Sequence, residues 1–313
     1  MSIIEANIAS VAKTKMPNAE SKVWQVIVIG SGFAGLGAAI KLREAGITDF
    51  IVLEKSNELG GVWRENTYPS CACDVPSALY SYSFAPNPNW SRVFAEQAEI
   101  KSYLQQTARD YGVIPHIHMQ QEMTDSAWDE QAKLWRITTD KQQYQARFVI
   151  MACGPMHEPV YPKISGIQDF KGKIFHSARW QHEVDLTGKR VAVIGSGASA
   201  IQFVPKIQPK VAKLVLFQRT PQWVLPKMDQ TLSPLMHQLF KRLPLTQLAM
   251  RGAIFSVFEA LNGSMHHPKI MQQFQRLALF NLQKTVKDPV LRQKLTPNFI
   301  IGCKRVLQSN EWY

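Results

Sequence analysis

The chain is poor in cysteine, with four in 313 residues, and none of the four has the Cys-x-x-Cys spacing of a zinc site or a redox dithiol. Cys71 and Cys73 are one residue apart, Cys153 and Cys303 stand alone, and no His-rich cluster accompanies them, so no metal is expected. No leader is recognisable, and the thiols read as reduced ones of a cytoplasmic protein. Long apolar runs are also missing. The best stretch, Leu248 to Leu261, contains Arg251 and Glu259, which excludes a membrane span. Its amphipathic pattern reads as a core-facing helix and leaves peripheral membrane contact open. Dense basic runs are absent too. The net charge is +12, and residues 227 to 313 hold 12 Lys/Arg against 4 acids, but these cations are scattered singly along helical patterns, which argues against a nucleic-acid surface.

What the chain does have is two glycine-rich turns, Gly30-Ser31-Gly32-Phe33-Ala34-Gly35 and Gly195-Ser196-Gly197-Ala198-Ser199-Ala200. Each directly follows an apolar run, Gln25 to Ile29 and Arg190 to Ile194, that reads as a strand. A strand that turns tightly on glycine into a helix brings backbone N–H groups and a positive helix end against a pyrophosphate, so two such units imply two dinucleotides. The sequence after each turn separates them. The strand Phe50 to Leu53 ends on Glu54, an acceptor for ribose hydroxyls of FAD or NAD. The strand Leu214 to Phe217 ends in Gln218-Arg219-Thr220, where a cation pairs with a 2'-phosphate and points to NADP.

With 45% hydrophobic residues the chain can bury two or three domain cores. Residues 1–22 read as a loose arm and 23–155 as the first nucleotide domain. That domain includes a proline- and aromatic-rich loop from Gly60 to Trp90, a helix from about Glu96 to Tyr111, a hairpin around Asp129 to Lys133 and a returning strand Arg147 to Ala152. Residues 156–226 read as the second nucleotide domain. Residues 227–299 read as a helical insert broken at Pro234, Pro244, Pro268 and Pro289, and 300–313 as a segment returning to the second domain. The fold class expected is α/β, with two Rossmann-like dinucleotide-binding domains and a helical insert.

Several longer motifs then carry a family resemblance. Gly60-Gly61-Val62-Trp63 followed by Tyr68-Pro69 and Asp74 resembles the flavin-site signature of the class B flavoprotein monooxygenases. Phe170-x-Gly172-x-x-x-His176-x-x-x-Trp180 resembles the Baeyer-Villiger monooxygenase fingerprint. Met151-Ala152-Cys153-Gly154-Pro155, Gln218-Arg219-Thr220-Pro221 and Gly302-Cys303-Lys304-Arg305 are similar to further family segments, and the resemblance runs from about residue 23 to the last residue. The sequence departs from the pattern at Ser70, at Cys153 and at Gln181. The last of these leans toward the related N/S-oxygenating flavin-containing monooxygenases.

The resemblance implies FAD and NADPH as cofactors, and O2 with a ketone or another soft small molecule as substrates. The implied reaction inserts one oxygen atom by way of a flavin C4a-peroxide, giving an ester or lactone. It implies Arg305 as the catalytic cation and Asp74 as the carboxylate that orients it. Cofactor contacts are implied for Gly30, Gly32, Phe33, Ala34, Gly35, Glu54, Gly61, Val62, Trp63, Asp74 and Tyr80 on the flavin side. On the nicotinamide side they are implied for Gly195, Gly197, Ala198, Ser199, Arg219, Thr220 and Lys304. Phe170, Gly172, His176 and Trp180 are implied as a domain hinge. A surface cation would explain Arg305 taken alone, a loop cap Asp74, a solvated lysine Lys304, and packing Trp63 and Tyr80.

Two other readings compete. A disulphide reductase would share the paired nucleotide folds, but it needs a redox cysteine pair, and Trp63 follows Gly60-Gly61-Val62 where such chemistry would begin. The other is an inactive fragment. Members of the resembled family are much longer, so the resemblance implies a chain truncated at its C-terminus that holds FAD poorly.

Overall fold

The computed structural model describes residues 22–265 and 267–313, so most of the expected N-terminal arm lies outside the described residues. The first unit is built on β1 (Val23–Ile29), whose Val26, Ile27, Val28 and Ile29 are all buried, as a strand covered on both faces requires. It turns into α1 (Phe33–Glu44) and returns as β2 (Phe50–Leu53), parallel to β1 with Ile29 opposite Leu53. The one-turn helix α2 (Val62–Glu65) opens the aromatic loop, and α3 (Gln97–Asp110) closes it. Tyrosine hydroxyls pin that loop to the helices. Tyr82 donates to Phe33 O at 2.6 Å, Tyr103 to Ala85 O at 2.8 Å and Tyr111 to Phe84 O at 2.7 Å.

The short β3 (Ile117–His118) pairs with β2, and the hairpin β4 (Met123–Asp129) and β5 (Leu134–Thr139) precedes β6 (Gln143–Met151). The sheet order is β3-β2-β1-β6-β5-β4. β6 runs parallel to β1 with Met151 opposite Ile29, while β5 and β4 add on antiparallel. β6 begins at Gln143, four residues before the expected Arg147, because Gln143 to Gln145 pair with Arg136 to Thr138 of β5.

The second unit repeats the plan in miniature with β7 (Arg190–Ile194), α4 (Ala200–Ile207) and β8 (Lys213–Phe217). β7 pairs with β8 in parallel, no third strand joins them among the described residues, and Ile194, Val215 and Phe217 are exposed. β9 (Val224–Leu225) follows. The helices α5 (Pro234–Arg242), α6 (Pro244–Ser264), α7 (Pro268–Thr285) and α8 (Pro289–Leu295) lead to β10 (Leu307–Gln308), which pairs in parallel with β9. The α/β class, the two Rossmann-like units and the helical insert are as expected.

The helical pattern is interrupted at the four expected prolines, each of which opens the next helix, since a first-turn position has no intrahelical N–H to lose. One reading of the insert needs correction. The stretch Leu248 to Leu261 is not a core-facing helix. In α6, Leu248, Phe255, Val257 and Phe258 are exposed, while the polar Gln247 is buried and donates to Asn87 O. No helix among the described residues is long and apolar enough to cross a membrane.

Candidate functional site

Both glycine turns leave a helix N-terminus open. Neither Gly32 before α1 nor Ser199 before α4 gives a side-chain cap, so the first backbone N–H groups of each helix point outward with the positive end of the dipole. The glycines serve differently in the two turns. A Cβ on Gly35 would stand 1.8 Å from Gly30 O, so this glycine is required by the packing of α1 on β1. At the second turn Gly195 has φ +108, which favours glycine, yet a Cβ on Gly195 or Gly197 would meet nothing within 4 Å. The absent side chains there leave a cradle facing open space, which fits a bound pyrophosphate.

Glu54 ends β2 and is buried, and its carboxylate is already fully engaged. Oε2 accepts from Ser31 N at 3.0 Å and from Ser31 Oγ at 2.5 Å, and Oε1 accepts from Ser56 N at 2.9 Å and from Arg64 Nη1 at 3.0 Å. Burial pushes its pKa up, but the Ser31 hydroxyl, the Ser56 amide and the Arg64 charge outweigh that and hold it below the ordinary value. A further donor can reach Glu54 only by displacing one of these, and the Ser31 hydroxyl is the one that can swing away.

Beside this turn Phe33, Trp63 and Tyr80 form an aromatic wall. Trp63 is buried and its Nε1 donates to Tyr80 Oη at 3.0 Å, while the Phe33 and Tyr80 rings meet edge to face at 4.9 Å. Val62 is half-buried and packs on the same core, and Gly61 backs onto Gly32. Arg251 of α6 holds the loop that carries Tyr80, since its Nη1 donates to Ala78 O, Leu79 O and Ser81 O. Asp74 and Arg305, 231 residues apart, are joined by an ion pair through Arg305 Nη2 and Asp74 Oδ2. Burial raises the Tyr80 phenol above its ordinary pKa, and both Asp74 and Arg305 act on it, so the pair and the wall share one neighbourhood. Lys227 lies near the same carboxylate, half-buried over the Phe94 ring, and burial lowers its pKa against the pull of Asp229.

On the second unit Arg219 is exposed at the end of β8 and makes no ion pair among the described residues. Thr220 beside it and Ala198 in the glycine turn are half-buried, and Lys304 is exposed with its ammonium 4.7 Å from the Phe299 ring centroid. The fingerprint segment splits. Phe170 is exposed, and a Cβ on Gly172 would strike its ring at 2.5 Å. His176 accepts from Ala178 N at 3.1 Å and so caps a single turn, with a pKa lowered by burial and then by Arg179. Trp180 packs on Phe203 of α4 at 5.2 Å, and Arg179 pairs with Glu65 of α2 at 2.9 Å, so this short segment touches both nucleotide units.

Sequence pattern did not single out Arg64, Lys227 or Arg251 as parts of this site. Arg64 sits within one turn of a glycine motif, which is the one local signal it offers. Lys227 and Arg251 lie in the basic segment, where nothing distinguishes them from solvated cations.

A model of the pyridine nucleotide-disulphide oxidoreductase family matches residues 27–259. The chain is 49% identical over 290 residues to a Baeyer-Villiger monooxygenase of Streptomyces coelicolor, covering 92% of this chain and 56% of that protein. It is 46% identical over 307 residues to a Baeyer-Villiger monooxygenase of Pseudomonas aeruginosa, covering 97% of this chain and 58% of that protein. It thus spans a little over half the length of these curated relatives. Among solved structures, an oxidized steroid monooxygenase bound to NADP superposes with a TM-score of 0.81 at 29% identity, over 93% of this chain and 63% of the other. A complex of OTEMO with FAD and NADP gives a TM-score of 0.81 at 29% identity, over 94% and 64%.

Proposed function

The chain belongs to the pyridine nucleotide-disulphide oxidoreductase family, and we propose that within it the chain carries the nucleotide-binding part of an FAD-dependent, NADPH-using monooxygenase of Baeyer-Villiger type. The disulphide chemistry in the family's name has no counterpart here, because the chain's four cysteines include no Cys-x-x-Cys pair and all four are free. The observation that carries the proposal is the Asp74–Arg305 ion pair beside the Trp63–Tyr80 wall, with open helix ends at both glycine turns.

The oxygen-activating chemistry comes from FAD once NADPH has reduced it. The chain's own residues bind, orient and shield. Residues 23–155 would hold FAD through the open α1 N-terminus, Glu54 and the Phe33, Trp63 and Tyr80 wall. Residues 156–226 would hold NADPH through the Gly195–Ser199 turn and Arg219, supported by Thr220 and Lys304. Residues 227–299 form the insert, and 300–313 return Arg305 to the site. Arg305 offers a fixed cation to the negative charge that develops on a ketone oxygen, Asp74 aims it, and the aromatic wall keeps water out. His176, Trp180 and the segment around Phe170 and Gly172 link the two units and bend between them. The substrate is a ketone, O2 is the co-substrate, and the free thiols suit the cytoplasm.

Absorption spectra of the purified protein, before and after NADPH in air, test the reading together with product analysis on a cyclic ketone and a thioether. In protein supplied with FAD, flavin that NADPH bleaches and air restores, with ester or lactone from the ketone, is expected. Protein that neither binds added FAD nor responds to NADPH overturns it, and oxidation of the thioether alone moves the assignment to heteroatom oxygenation.

A further inference from the structure

Gln202 projects from α4, one turn past the second glycine motif, into the first unit. Its side-chain amide meets one residue of the loop that leads to Asp74 in both directions. Oε1 accepts from Ala72 N at 3.2 Å, and Nε2 donates to Ala72 O at 3.0 Å. Oε1 also accepts from the Tyr68 hydroxyl at 3.1 Å. Only a carboxamide can complete such a two-way pair with a backbone N–H and C=O, since a carboxylate donates nothing and a hydrocarbon does neither. The contact is reinforced by its neighbours on α4. The Tyr68 ring meets Phe203 edge to face at 6.0 Å, and Ser199, inside the glycine turn, acts on the Tyr68 hydroxyl.

The far side of the same loop is held by the first unit. Ala72 forms a bridge with Glu96, Cys73 N donates to Ala95 O at 3.0 Å, and Gln97 N donates to Cys71 O at 2.8 Å. Residues 68–73 are therefore a strap between the two units, and Asp74 is the next residue after it. Whatever settles the α4 N-terminus settles one end of that strap.

We infer that Gln202 is a positioning residue that locks the Tyr68–Cys73 strap onto α4, so that a dinucleotide phosphate bound at the Gly195–Ser199 turn fixes Asp74 and, through it, Arg305. The inference rests on the proposed NADPH site. It assigns to Gln202 no contact with either cofactor, and it makes the Asp74–Arg305 geometry depend on occupancy of the second unit.

Cys71 and Cys73 supply a direct readout. Both thiols are buried in the strap, and burial pushes each up to about 11, so they react with an alkylating agent only when the strap opens. The exposed Cys153 and Cys303 serve as internal references. Iodoacetamide labelling of the full chain, read peptide by peptide by mass spectrometry, is compared for the wild type, Gln202→Leu, Gln202→Glu and Tyr68→Phe. Three hydrogen bonds are lost in the leucine variant, so Cys71 should label about tenfold faster there. The glutamate variant keeps the acceptor and should fall between, and Tyr68→Phe should give a rise of about twofold to fivefold.

Saturating NADP+ should slow Cys71 labelling several-fold in the wild type and leave it unchanged in Gln202→Leu, while calorimetry finds similar NADP+ affinity in both. Unchanged melting transitions and unchanged Cys153 and Cys303 rates exclude global unfolding. Wild-type labelling rates in Gln202→Leu, or equal NADP+ protection in both proteins, overturn the inference. A wild type that binds no NADP+ overturns the cofactor reading instead, and the rates without nucleotide still decide whether Gln202 locks the strap.

Discussion

Arg305 and Asp74 form an ion pair across 231 residues of sequence, which brings the end of the chain back to the loop beyond the flavin-side turn. Arg305 is 56% exposed at its side chain and Asp74 24%, so the pair contributes at most about 1 kcal/mol to stability. Its chemical role can therefore be separated from folding. In protein loaded with FAD, Arg305→Ala should still take hydride from NADPH but release hydrogen peroxide in place of oxygenated ketone. Asp74→Ala should in addition slow flavin reduction. Product yield per NADPH consumed checks both, and wild-type coupling in Arg305→Ala would remove Arg305 from the chemistry.

Arg219 is exposed and has no carboxylate partner among the described residues, as a residue kept for an external phosphate requires. A charged hydrogen bond to a 2'-phosphate contributes about 1.5–3 kcal/mol, so Arg219→Ala should weaken NADPH use by roughly ten- to a hundredfold and leave NADH almost untouched. Flavin reduction rates with the two nucleotides decide it; equal losses count against the assignment.

Glycine substitutions should divide by turn. Gly35→Ala forces a Cβ to 1.8 Å from Gly30 O and should unfold the first unit or lower its melting temperature sharply. Gly197→Ala meets nothing within 4 Å, so the chain should fold normally while NADP+ binding weakens. Thermal denaturation alongside NADP+ titration separates the two. A Gly197→Ala chain that binds NADP+ as well as wild type would show that the cradle is not used.

The Glu54 network predicts a pH response. Its carboxyl lies below the ordinary value in the fold, so its contribution is complete above that value and is lost as pH falls through the lowered one. Melting temperature should therefore drop as pH falls below the ordinary carboxylate value of 4.5, and Glu54→Gln should flatten that drop. At neutral pH the same variant should cost about 1–3 kcal/mol, since Arg64 loses a buried partner. An identical acid profile in the variant would place the titrating group elsewhere.

The legible parts of the site are those written as local chemistry. Glycine after an apolar run, Glu54 at a strand end and Arg219 at the matching place in the second unit are each set by neighbours within about twenty residues. The insert was legible in part, because its four prolines divide it into helices and each opens one. Leu248 to Leu261 has an amphipathic pattern, yet its inward face was set by Asn87 and the Ala78–Ser81 loop, which offer carbonyls and so draw in Gln247 and Arg251. Gln202 and Ala72 are 130 residues apart, and a side chain that reads backbone leaves no pattern in its partner's sequence.

The two-stranded β7–β8 ladder also shapes how the chain behaves in bulk solution. Among the described residues no further strand pairs with its outer edges, and Ile194, Val215 and Phe217 lay a water-exposed apolar strip next to them. Arg190 and Lys213 face each other at the start of the two strands, so approaching copies repel one another through like charge. Salt screens that repulsion over roughly 10 Å at 0.1 M. Light scattering from the purified chain should thus climb with both protein concentration and ionic strength, and a lysine in place of Val215 should suppress the climb, making dilute, low-salt buffer the state in which this protein stays monodisperse.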